Sequence, residues 1–473
     1  MIVYHPHVIA YIRSIVMNLF LGSDPRPVHF VGIAGAGMSA LALVALRRGV
    51  AVTGSDRAPE GAPDLLQLGA KVWSGHDAAY VAGARAVVAS AAIPGDHPEL
   101  SRARELGIPI LPRKEALGQL VSGREVVAIA GTHGKTTTTV MTTHALVGAG
   151  FEPTTLAGGR VAAWGGNARI GGDELFVVEA DEYDQAFLAL HPAVAVVNNL
   201  EPEHLECYSG SAQRQEDAFV TFAGRARRAL IGSDDRGAEA VARRLGGPVW
   251  RFGVAGPDLI LSRIGSSPQG AQAVLGLANG RSVSLDLAVP GVHNLRNAAA
   301  AIGVVAALGG DVERAALGLR EFVGVGRRFE RRGTVAGVTL VDDYAHHPTE
   351  VEATLVAARE AFPDRRVVAV FQPHLYTRTA ALGAQMGRSL ALADLVFVTE
   401  VYAAREAPIP GVSGRLVAEA ARRAGAEVVF GADRETLTAQ VLASLSPGDV
   451  VLTLGAGDIT SLGGELLERL GER

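Results

Sequence analysis

The 473-residue chain is too long for one core and carries material for about three domains of ordinary size. A hydrophobic content of 48% excludes a disordered chain, and a net charge of -5 without a long charge run gives no footprint for nucleic acid. A single cysteine, Cys207, excludes an intramolecular disulfide framework and suits a reducing cytoplasm.

The first apolar stretch, VIAYIRSIVMNLFLG, is broken by Arg13 and is too short to span a membrane, so no membrane partner is expected. Met17 is an alternative start, because the periodic pattern begins only at Val28. From there an apolar run to Ile33 reads as a buried strand, a helical pattern follows to Arg48, and a second strand runs from Ala51 to Gly54 ahead of Asp56. Between the strands, GAGMSA fits the dinucleotide fingerprint, with Gly35 and Gly37 clearing a path for a diphosphate. Further short strands (AVVASAAI, IPILP) bring this segment to a close near residue 122.

The second segment opens with the strand EVVAIA and the loop GTHGKTTTT. A phosphate loop needs glycines where a side chain would block the anion, a helix N-terminus aimed at it, a cation and a hydroxyl. Gly131, Thr132, His133, Gly134, Lys135, Thr136 and Thr137 supply all four, although Gly131 falls two residues late for the usual G-x-x-x-x-G-K-[ST] spacing. Lysine occurs only at positions 71, 114 and 135 among 44 basic residues, so a lysine at this point is not a casual surface charge. An acid able to support Mg²⁺ is then expected at the end of a neighbouring strand, and LFVVEADEYD offers Glu179, Asp181, Glu182 and Asp184. The strand AVAVVNNL leads to His204, and a short-stranded stretch and the helical NLRNAAAAIGVVAALG carry the segment to about residue 325.

The third segment alternates the strands VTLVDD, RVVAVF, DLVFVTE and DVVLTLG with helical patterns, as a parallel doubly wound sheet does. The fold class expected is therefore α/β in three domains: residues 1–122 Rossmann-like, residues 123–325 a P-loop ATPase with a mostly parallel sheet, and residues 326–473 Rossmann-like again.

GTHGKTTT, EADE, NNLEPEH, GVHNLRNAAAA, GRRFE, VDDYAHHPTEV and FQPHLYTRT stand in the order found in the Mur ligases, the ATP-dependent amino-acid ligases of peptidoglycan assembly, and the chain resembles that family from Val28 onward. The family shares the shortened loop. The resemblance implies a UDP-sugar domain, a central ATPase and a C-terminal amino-acid domain, with UDP-N-acetylmuramate and L-alanine as partners and ATP with two Mg²⁺ ions as cofactors. The lactyl carboxylate would attack the γ-phosphate, and the amine of alanine would displace phosphate from the acyl phosphate. DEYD and NNLE are also similar to the relative that attaches a recycled tripeptide to the same sugar, which stands as the alternative.

By the same resemblance, Lys135 reaches the β- and γ-phosphates, Thr136 and Glu179 hold one Mg²⁺, and His204 ligates a second metal. Asn294 and Asn297 lie on the adenine side, Arg327 serves the γ-phosphate, and Asp343 the ribose. Tyr344, His346 and Arg378 are candidates for alanine, whose carboxylate suits a bidentate guanidinium. Gly35, Ala36 and Gly37 pass close to the UDP diphosphate, and Asp56, His76 and Ser90 are candidates for uridine or ribose. No lysine follows Lys135, so the carbamylated lysine of some members is absent, and Glu216 is a possible substitute carboxylate. A dehydrogenase would also use the fingerprint and Asp56, and a P-loop switch the loop alone; neither needs DDYAHHP and FQPHLYTRT.

Overall fold

The structure is a computed structural model that describes residues 19–20, 24–267, 269–404 and 406–472, so Met17 lies outside the described residues. The chain forms two compact units, one of residues 1–260 with 300–318 and the other of residues 261–299 with 319–473. Among the described residues no helix is long and apolar enough to cross a membrane.

The first unit holds two sheets. In the first, β1 (Val28–Val31), β2 (Val52–Asp56), β3 (Lys71–Ser74), β4 (Ala86–Ala89) and β5 (Ile110–Pro112) lie in the order β3-β2-β1-β4-β5, all parallel. β1 and β4 are buried throughout, as strands covered on both faces must be. β1 stops two residues short of the sequence expectation, because Gly32 turns the chain with φ 79°. The fingerprint helix Ala36–Arg47 starts after Gly35.

In the second sheet, β6 (Glu125–Ala130), β7 (Thr154–Val161), β8 (Gly166–Arg169), β9 (Leu175–Glu179), β10 (Val194–Val197), β11 (Arg228–Gly232) and β12 (Val249–Gly253) follow the order β12-β11-β10-β6-β9-β7-β8. Only the β7–β8 pair is antiparallel in this set, and the first residues of β13 (Leu259–Ser267) pair with β12. The helix Lys135–Gly148 follows β6 directly. Its threonine run is a poor helix former, but tertiary contacts hold it: the hydroxyls of Thr143 and Thr155 on β7 lie 2.8 Å apart, and Asn198 Nδ2 donates to Thr138 Oγ1 at 2.9 Å.

The two sheets share one apolar core, in which Leu41 and Val44 of the fingerprint helix join Phe176 and Val178 of β9. Asn167 on β8 donates to Ala36 O at 3.1 Å and to Ser39 Oγ at 2.9 Å, pinning the fingerprint helix to the second sheet. Arg113 meets Asp181 at 2.9 Å and Lys114 meets Asp184 at 3.0 Å across the same junction, while Lys71 Nζ lies 4.7 Å from the centre of the Trp73 ring.

The second unit carries the antiparallel pair β14 (Gly270–Leu277) and β15 (Ser282–Leu287). It also holds a sheet of β16 (Glu330–Val335), β17 (Val338–Asp343), β18 (Val367–Phe371), β19 (Leu395–Val398), β20 (Val428–Phe430) and β21 (Val450–Leu454), ordered β16-β17-β21-β18-β19-β20. All its pairs are parallel except β16–β17. Alternate residues serve opposite faces: Val367, Ala369 and Phe371 enter one core, Val368 and Val370 the other.

Candidate active site

The loop after β6 is built around two glycines. Gly134 caps the helix with φ 76°, and Gly131 has φ 137° with space only for hydrogen, since a Cβ there would come 3.1 Å from that of Asn198. The segment after β10 clamps the loop: Asn199 Oδ1 accepts from His133 N at 2.7 Å, and Thr132 Oγ1 accepts from Glu201 N at 2.9 Å.

Lys135 Nζ donates to Gly131 O at 2.7 Å, to Thr132 O at 3.1 Å and to Glu182 Oε1 at 2.9 Å. Burial works against its charge, but Glu182, Asp181 and Glu179 outweigh burial and raise its pKa. Burial likewise pushes the carboxyls of Glu179 and Glu182 up, against the pull of Lys135. Glu179 Oε1 accepts from Thr136 Oγ1 at 3.0 Å and Oε2 from Gly158 N at 2.5 Å. Gly158 is glycine for lack of room, because a Cβ would strike the Glu179 carboxylate. A hydroxyl beside a carboxylate is the hard-oxygen set that Mg²⁺ prefers, and the buried Glu182 Oε2 has no hydrogen-bond partner, so these residues fit a divalent cation.

A cavity of about 190 Å³ joins this loop to the fingerprint loop, with Ala36, Gly37, Arg113, Lys135, Gly158 and Glu179 on its wall. The start of the fingerprint helix, the two cations Arg113 and Lys135, and the two carboxylates Glu179 and Asp181 thus face one space. His204 stands apart: its backbone is left-handed at φ 53°, its ring meets Tyr183 edge-on at 5.3 Å, and Nδ1 lies 3.5 Å from Glu206. Thr137 is buried in the first turn of the helix. Arg244 Nη1 donates to the Glu216 carboxylate at 2.6 Å.

In the first sheet, both oxygens of Asp56 are taken by backbone: Oδ2 accepts from Ala34 N at 2.9 Å and Oδ1 from Ala58 N at 3.0 Å. Asp56 thereby shapes the approach to the fingerprint. Ser90 Oγ accepts from Ala92 N at 3.4 Å just past β4. His76 joins a buried network with Ser55 and Glu99.

The second unit gathers its own group. Asp343 at the end of β17 accepts from Phe329 N and Ala345 N, both at 2.7 Å, and burial pushes its carboxyl up to about 6 against the pull of Arg328. Arg327 is spent within its sheet: Nε lies 3.3 Å from Asp342, Nη2 donates to Gly455 O at 2.5 Å, and the guanidinium lies 5.0 Å from the centre of the Tyr344 ring. The His346 ring meets Tyr344 at 5.2 Å and His374 at 5.8 Å, and Arg378 Nη1 reaches His374 Nδ1 at 3.2 Å. Tyr402 stacks on His374 at 5.8 Å. Asn294 donates to Pro290 O at 2.7 Å, and Asn297 is buried on the same helix.

Three family models match: the Mur ligase family catalytic domain over residues 27–125, the Mur ligase middle domain over 129–305, and the Mur ligase glutamate ligase domain over 327–457. The chain belongs to the Mur ligase family. This Mur ligase is 44% identical over 459 residues to the UDP-N-acetylmuramate–L-alanine ligase of Acidithiobacillus ferrooxidans, covering 94% of this chain and 98% of that protein. It is 44% identical over 453 residues to the ligase of that name from Streptomyces coelicolor, with 94% and 97% covered. The crystal structure of the UDP-N-acetylmuramate–alanine ligase of Thermotoga maritima superposes with a TM-score of 0.81 at 31% identity, over 94% of this chain and 99% of that one.

Several residues of this candidate site carry no clear signal in the sequence. Arg113 is one cation among many arginines and sits outside any motif, and Gly158 lies in an ordinary GG pair; only the fold brings them to Glu179. His374 lies inside FQPHLYTRT and Tyr402 just after the strand DLVFVTE, so residue type and place beside a motif are the signals that point to them.

Proposed function

We propose that this Mur ligase joins L-alanine to the lactyl carboxylate of UDP-N-acetylmuramate at the expense of ATP, in the assembly of peptidoglycan precursors in the cytoplasm. The observation that carries the reading is the shared cavity, in which the fingerprint loop of the sugar-nucleotide fold and Lys135 of the phosphate loop line one wall. The 44% identity to alanine-adding ligases favours alanine over the recycled tripeptide.

The chemistry explains the charges. The carboxylate oxygen forms a bond to the γ-phosphorus and ADP leaves; the amine of alanine then bonds to the carbonyl carbon, sheds a proton, and phosphate leaves. The first step brings an anion against a polyanion, at a cost of roughly 4 kcal/mol per pair of unit charges 4 Å apart at an effective dielectric of 20. Lys135 offsets part of this at the outer phosphates, and Arg113 adds a second positive charge facing the same cavity. Mg²⁺, held by Thr136 and Glu179 with His204 available to a second ion, supplies further neutralisation when bound.

Gly131, Thr132, His133, Gly134 and Thr137 wrap the phosphates, Asn294 and Asn297 serve the adenine, Asp343 the ribose and Arg327 the γ-phosphate after release from Asp342. Gly35, Ala36 and Gly37 take the UDP diphosphate, with Asp56, His76 and Ser90 around the nucleoside. Tyr344, His346 and Arg378 take alanine. These roles follow the segment boundaries 1–122, 123–325 and 326–473. Phosphate release and mass-detected ligation test the proposal, with alanine, glycine, serine and the tripeptide in competition. Release that needs both UDP-N-acetylmuramate and alanine supports it; release with the sugar nucleotide absent, or preference for the tripeptide, overturns it.

A further inference from the structure

Glu99 is fully buried in the first sheet's domain, and three side chains converge on it. His29 Nε2 lies 2.7 Å from Oε2, Ser55 Oγ lies 2.8 and 2.9 Å from the two oxygens, and His76 Nδ1 lies 3.0 Å from Oε1. His29 is satisfied at both nitrogens, because Nδ1 pairs with Thr53 Oγ1 at 2.9 Å. His97 is different. It is 9% exposed, its Nδ1 is buried with no hydrogen-bond partner, and its ring stands edge-on to that of His76 at 4.6 Å. One ligand atom from each of His76, His97 and Glu99 lies within 4.8 Å of the other two.

A network built only to close the core would not leave an imidazole nitrogen orphaned, since an unsatisfied buried polar atom costs about 1–3 kcal/mol. Burial and the neighbouring His76 favour neutral His97, the form that offers a lone pair.

We propose that His76, His97 and Glu99 form a binding site for a zinc-class divalent cation, with two imidazoles, one carboxylate and a fourth position open toward solvent. Tetrahedral bonds of about 2.0–2.1 Å set ligand atoms roughly 3.3 Å apart. The His76–Glu99 pair, at 3.0 Å, already stands near that spacing, so only His97 has to draw in. The cation takes the place of the hydrogen bond between His76 Nδ1 and Glu99, with the ring proton then carried on Nε2 of the neutral imidazole that ligates the metal. His29 and Ser55 orient the carboxylate from behind, as outer partners do in metal sites. The His76 side chain is 15% exposed and gives the way in. Two imidazoles select zinc over magnesium, which separates this site from the hard-oxygen pair Thr136 and Glu179.

The test is a zinc titration of the full chain against a chromophoric competitor in saturating Mg²⁺, repeated with Co²⁺ as a spectroscopic probe. One equivalent is expected, with tetrahedral Co²⁺ absorption. His97→Ala and His76→Ala should each weaken that equivalent by at least tenfold, and Glu179→Gln should keep it. His97→Gln serves as a second variant, with thermal melts to show that each protein is folded. Absence of zinc binding by the native chain, or equal affinity in native and folded His97 variants, overturns the proposal.

Discussion

Lys135 Nζ donates to Glu182 Oε1 at 2.9 Å, so the ammonium that we propose for phosphate rests on an internal carboxylate. The pair has an energetic consequence for nucleotide binding, because the triphosphate must compete with Glu182 for the same cation. Hydrogen bonds to charged groups contribute about 1.5–3 kcal/mol. Glu182→Gln keeps an acceptor but removes its charge, and about 1 kcal/mol of that competition goes with it, a factor of roughly 5. Calorimetry with a non-hydrolysable ATP analogue should therefore find tighter binding in Glu182→Gln. Unchanged or weaker binding by the folded variant would show that the carboxylate does not compete.

Lys135→Ala should abolish ligation while UDP-N-acetylmuramate still binds, because the fingerprint loop is held by Asn167 and not by the lysine. Loss of sugar-nucleotide binding by a folded Lys135→Ala protein, measured by equilibrium dialysis, would contradict the division of labour between the two loops.

Gly158→Ala puts a methyl group against the Glu179 carboxylate. Gly158 itself is exposed, so the melting temperature should barely move. The displaced carboxylate should raise the Mg²⁺ concentration at half-maximal rate by about tenfold, in keeping with the cost of disturbing a metal ligand's support. A normal Mg²⁺ titration curve in this variant would remove Glu179 from the cation site.

Asp343 yields a pH prediction. Its folded carboxyl is raised to about 6, above the ordinary range near 4, so the folded chain binds a proton that the unfolded chain has released. The stabilisation is complete below about pH 4 and is lost as pH rises through about 6, a change of about 3 kcal/mol. Asp343→Asn lacks this titration, so its stability deficit should be larger by about that amount at low pH than at neutral pH. Urea unfolding of both proteins across this range measures the difference; a deficit independent of pH would rule out the raised carboxyl.

Arg378→Lys tests the amino-acid candidates. A lysine keeps the charge and loses the planar fork, so the KM for alanine should rise by tenfold or more while ATP affinity holds. An equal rise for ATP would assign the arginine elsewhere.

The sequence was legible where chemistry and period coincide. The buried strands β1, β4, β6, β9, β10, β17, β18, β19 and β21 read directly, because parallel strands covered on both faces are continuous apolar runs. Lys135 and Thr136 stood out because lysine is scarce and the glycines flank it. β7 and β8 did not read: TTLAGGRV and GNAR are interrupted by glycine, and one of those glycines exists to admit Glu179. β3 and β16 are too exposed to carry an apolar run. Arg113 and Gly158 have no local signature, since their roles arise from which strand ends the topology brings together.

The rarity of lysine makes the chain its own spectroscopic instrument. Reductive ¹³C-methylation would mark three lysine side chains in unlike surroundings: Lys71 over an indole, Lys114 on Asp184 and Lys135 in the phosphate loop. Ring current should shift the first methyl signal, solvent should sharpen the second, and the third should answer to nucleotide alone. Occupancy of the ATP site could then be followed in a 49.1 kDa protein from a spectrum simple enough to assign by inspection.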